Sequence, residues 1–102
     1  MTLGEELASA SRGVLNLMLK TKDLEKKKVL RKQLTGILEE TARLVEINVA
    51  SNTKAYRDAT AGLQTANVAI DKAMKDLQNV AKAIKKIAKA IDLLAKVAAA
   101  MA

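Results

Sequence analysis

Apolar side chains recur every seven residues through the second half of the chain with almost no error. With Leu63 as heptad position a, that position holds Leu63, Ile70, Leu77, Ile84, Ile91 and Ala98. Position d holds Ala66, Ala73, Val80, Ile87, Leu94 and Met101, and the opposite position f carries Lys75, Lys82, Lys89 and Lys96. An apolar stripe at this period keeps one seam turned toward another helix. The pattern predicts one long helix over 53–100.

Two shorter stripes precede it. Leu3, Leu7, Ala10, Val14 and Leu17 alternate at four and three, which predicts a helix over 3–20 with a capping box formed by Thr2 and Glu5. Thr21-Lys22-Asp23 reads as a turn, with Thr21 or Asp23 capping the second helix. That helix, expected over 24–50, carries Leu24, Leu30, Leu34, Ile37, Leu38, Leu44, Val45 and Val49. Ser51-Asn52-Thr53 supplies the next break, because Asn tolerates a helix end and Thr or Ser caps a start.

The expected fold is therefore an all-α antiparallel bundle of three helices in a single domain over 1–102. At ~1.5 Å per residue the helices would span about 27, 42 and 70 Å, so the last would overhang the other two from about Ile84 onward. Three arrangements would cover that overhang. A second copy or another helical protein could pack on it. The chain could break near Gln78-Asn79 and form a four-helix up-down bundle. A helix could instead run unbroken through Ser51 as a long coiled coil. The uninterrupted phase from Leu77 through Val80 to Ile84 argues for the first.

Composition narrows the picture. The chain has 102 residues, half of them apolar, with one aromatic residue, no Pro and only four Gly. Leu, Ile, Val, Met and Ala must build the core, and Ala buries little area per contact. The good helix formers dominate, which supports the all-α reading. There is no Cys and no His, so thiolate chemistry, ordinary zinc sites and the commonest general base are missing. Glu5-Glu6 and Glu39-Glu40 are adjacent pairs whose members point to different sides of a helix, not paired acids. No phosphate-binding glycine loop occurs. The expectation is a non-enzymatic protein without metal or cofactor.

The net charge of +7 directs attention to acidic partners. One basic cluster holds Lys26, Lys27, Lys28, Arg31 and Lys32, and a second holds Lys82, Lys85, Lys86 and Lys89. In an antiparallel arrangement both fall at one end of the molecule, with Glu5, Glu6, Glu39, Glu40, Glu46 and Asp58 at the other. Lysines contact phosphates without reading bases, and Arg31 is the only arginine in these clusters, so specific nucleic-acid recognition is not supported.

The segment Val80–Ala102 resembles cationic amphipathic peptides that lie in a bilayer interface, in its alternation of an apolar arc with a lysine arc. The resemblance is one of pattern and implies affinity for anionic membranes, as in a pore-forming type of component. The N-terminus lacks the apolar core of a signal peptide, and no stretch has the roughly 18 apolar residues of a membrane span. A cytoplasmic protein is expected, with leaderless secretion left open. The primary functional expectation is a protein–protein assembly module that self-associates through Ile84, Ile87, Ile91, Leu94 and Met101. Membrane-surface activity is the alternative.

Overall fold

The computed structural model describes residues 3–46 and 53–100. All elements among them are helical: α1 (Leu3–Lys20), α2 (Leu24–Glu46), α3 (Lys54–Lys75), a 3-10 turn (Leu77–Asn79) and α4 (Val80–Ala100). Helix α1 has the bounds its stripe predicts, and α2 starts where expected. The remainder of the 24–50 span, the Thr2 cap and Met101 lie outside the described residues.

The long third helix does not form. It is two helices, as in the four-helix alternative, and the reversal lies two residues earlier than Gln78. Asp76 adopts an extended conformation (φ −145°, ψ 105°) and closes α3 through its amide, which donates to the Lys72 carbonyl. Its side chain then accepts from the Gln78 amide at 3.0 Å and opens the next turn. Asp23 does the same before α2, its Oδ1 accepting from the Glu25 and Lys26 amides at 2.9 and 3.2 Å. Thr53 caps α3 by accepting from the Tyr56 amide. Each cap satisfies backbone N–H groups that the first helical turn leaves unpaired.

The four helices form a ring. Helix α1 packs on α2 and α3, and α4 packs on α3 and α2, which leaves α1 opposite α4 and α2 opposite α3. Sequential partners α1–α2 and α3–α4 are antiparallel hairpins. The hairpins join through parallel neighbours. At one end the Leu3 amide donates to Tyr56 Oη at 3.1 Å, and at the other Lys20 Nζ donates to the Met74 carbonyl at 2.6 Å. Between α2 and α4, Gln33 Nε2 donates to the Ile84 carbonyl at 2.9 Å. The described bundle measures 39 × 20 × 17 Å.

The core holds Leu7, Val14 and Leu17 of α1, Leu30 and Ile37 of α2, Leu63 and Ile70 of α3, and Val80, Ile87 and Leu94 of α4. Helix α3 buries the predicted a and d positions: Ala59, Leu63, Ala66, Ile70 and Ala73. Helix α4 does so only in part. Its buried face is Val80, Ala83, Ile87, Ala90, Leu94 and Val97, at positions d and g, joined near its end by Ala98 at a, while Ile84 and Ile91 at a are only half-buried. The seam therefore rotates at Asp76, and a stripe three positions wide (a, d and g) conceals the rotation in the sequence.

Candidate functional site

The four seam residues that the structure describes, Ile84, Ile87, Ile91 and Leu94, face inward. Ile87 and Leu94 are fully buried, and Ile84 and Ile91 are half-buried against the same core. The surface expected to await a partner is covered by α2 and α3 of the same chain. This corrects the premise behind that expectation, since helix lengths left an overhang only if α3 and α4 were one.

Among the described residues no group of three or more acidic side chains could hold a metal ion. Glu6, though buried, is satisfied by Asn67, whose Nδ2 donates to its Oε2 at 2.8 Å. Glu40 contacts Arg43 at 3.3 Å through Oε1, while its Oε2 has no hydrogen-bond partner. Tyr56 packs against the core, and its hydroxyl accepts from the Leu3 amide at the start of α1. A cavity of about 580 Å³ is an open groove between α1 and α3 with a polar rim that includes Ser9, Arg12, Asn16 and Asp71.

The basic residues are a different matter. Residues 12–34 and 65–90 make up the half of the bundle that carries both hairpin turns. They hold fourteen of the eighteen cations and four of the eleven carboxylates. Because α2 and α4 are parallel neighbours, the rows Lys26, Lys27, Lys28, Arg31, Lys32 and Lys82, Lys85, Lys86, Lys89 both start from that end. The two rows are not one pocket. Lys27, Lys28 and Arg31 lean over α1, whereas Lys82, Lys86 and Lys89 lie along α3 beside Thr65. Lys26 and Lys27 are half-buried and the other seven are exposed.

Sequence reasoning missed what accompanies the cations. Leu19 and Leu24 flank the α1–α2 turn at 67% and 72% exposure, and Leu15, one turn back, is also exposed. With Met18, Lys27, Lys28 and Arg31, Leu19 and Leu24 surround a cavity of about 290 Å³. The signal was present, because the buried series Leu7, Val14, Leu17 places Leu15 and Leu19 off its face. Leu24 and Leu38, which spacing assigns to the core stripe of α2, are exposed as well.

Fold and surface together define a small all-α four-helix bundle with one strongly basic, leucine-studded end. No family model, curated protein or solved structure matches the chain.

Proposed function

We propose that this chain is a non-enzymatic helical interaction module whose working surface is its basic end. The observation that carries this reading is the concentration of fourteen cations, with three exposed leucines, on the half that holds both turns. An uneven field of this kind steers an acidic target toward one end of a molecule. The reading moves the contact from the C-terminal helix, whose apolar face the core uses, to the outer faces of α1 and α2 and the lysine row of α4.

Heparin serves as a probe of the basic end. Replacing Lys27, Lys28 and Arg31 by Gln should lower the eluting salt concentration well below that of the parent. A control with Arg43, Lys54 and Arg57 replaced by Gln removes the same charge from the other half and should elute close to the parent. Equal shifts for the two variants would mean that net charge alone governs retention, and the reading would fail.

A further inference from the structure

We infer that the α1–α2 corner docks on an anionic lipid bilayer, with Leu19 and Leu24 entering the interface and Lys27, Lys28 and Arg31 meeting lipid phosphates. This rests on the basic-end reading and names its target.

Three features of the corner favour a bilayer over other acidic targets. The leucines sit on either side of the Thr21–Asp23 turn, at the tip of the long axis of the bundle. A projecting apolar tip beside basic side chains suits a deformable apolar medium with an anionic surface. Nucleic acid would satisfy the cations and leave Leu19 and Leu24 in water. The cations are also placed correctly in depth. Lys27, Lys28 and Arg31 lie one to two turns from Leu24 along α2, and they line the same 290 Å³ recess as Leu19 and Leu24. Lipid phosphates lie above the acyl chains in the same order, and long basic side chains reach back to them while their stems cover apolar surface. Only Asp23 and Glu25 oppose this field locally, and the Asp23 carboxylate is turned to the amides of Glu25 and Lys26. The remaining lysines of the turn-bearing end add attraction to the anionic surface.

The contact differs from a membrane span. Among the described residues no helix is long and apolar enough to cross a bilayer. It also differs from insertion of α4, whose apolar face is in the core.

The test is sedimentation of the full chain with vesicles of phosphatidylcholine, with and without phosphatidylserine. The parent should sediment with the mixed vesicles and remain free with phosphatidylcholine alone. L19S/L24S changes two exposed side chains and no charge. It should bind the mixed vesicles about tenfold more weakly, a change of ~1.4 kcal/mol, and elute from heparin with the parent. Since the chain has no Trp, Leu24→Trp supplies a single reporter whose emission should shift to the blue on mixed vesicles only. Equal vesicle binding by parent and L19S/L24S, or no blue shift, would overturn the bilayer inference. Absence of vesicle binding with end-specific heparin retention would also overturn it, while leaving the basic-end reading in place. If the heparin contrast fails too, both fall.

Discussion

At the scale of single residues, Gly13 and Gly36 show how closely the helices approach and how differently two glycines can be used. A methyl group at Gly36 would lie 3.6 Å from Ile91 Cδ1, an ordinary contact with the end of a flexible side chain. A methyl group at Gly13 would lie 3.1 Å from Ile70 Cγ2, on a β-branched side chain that is itself buried. Ala is favoured over Gly in a helix by about 1 kcal/mol. Gly36→Ala should therefore raise stability by ~0.5–1 kcal/mol. Gly13→Ala should lose that gain to the displacement of Ile70 and melt below Gly36→Ala. Chemical denaturation of the two variants checks the order; a higher midpoint for Gly13→Ala would mean that α1 and α3 are less tightly apposed than the distances indicate.

At the scale of elements, the sequence was legible where one stripe and one cap coincide. The bounds of α1, the start of α2 after Asp23 and the a/d face of α3 all come from local spacing. The break at Asp76 does not, for a physical reason. Heptad phase counts residues, and a single extended residue reverses the chain while advancing the count by one like any other. The usual punctuation was absent, because no Gly or Pro lies between Gly62 and the end of the chain. Two signs were nonetheless present. Asp76 has the short acceptor side chain that starts helices, and Ala83, Ala90 and Val97 form a third small-residue row that a two-stripe seam does not need. The basic clusters were legible by charge, but Leu24 was read as core, and Leu15 and Leu19, which lie off the α1 stripe, were given no role because α1 carries more apolar residues than one face can bury. Ile87→Asp separates the two views of α4. If Ile87 joined two chains, the variant would be a folded monomer. With Ile87 at 1% exposure inside its own chain, an unpaired carboxylate there should cost about 4 kcal/mol or more and abolish cooperative melting rather than release a folded monomer. Circular dichroism with light scattering reads both properties.

At the scale of the whole molecule, the charge distribution has a cost. Fourteen cations on one half repel one another, while the ion pairs Lys54–Asp58, at 2.8 Å, and Arg43–Glu40 both fall on the other half. Screening over about 10 Å at 0.1 M salt should relieve that repulsion. Raising sodium chloride from a few millimolar to ~0.1 M is expected to stabilise the fold by ~1 kcal/mol, or about 5 °C in melting temperature for a domain of this size. The K27Q/K28Q/R31Q variant should melt higher than its parent at low salt and respond less to added salt. A melting temperature that falls as salt rises would show that the basic end is not self-repulsive.

The ring order of the helices also bears on how the chain finds its fold. Both antiparallel contacts, α1–α2 and α3–α4, close over three or four residues, so little chain entropy is lost in making either hairpin. Both contacts between hairpins are parallel and join residues more than fifty apart. Assembly can then proceed as two independent closures and one docking step, the low-contact-order regime in which helical bundles fold within microseconds to milliseconds. In that sequence α3–α4 would lead, since these two helices touch most extensively among the described residues, and its rate would depend on the cap that Asp76 places at the bend.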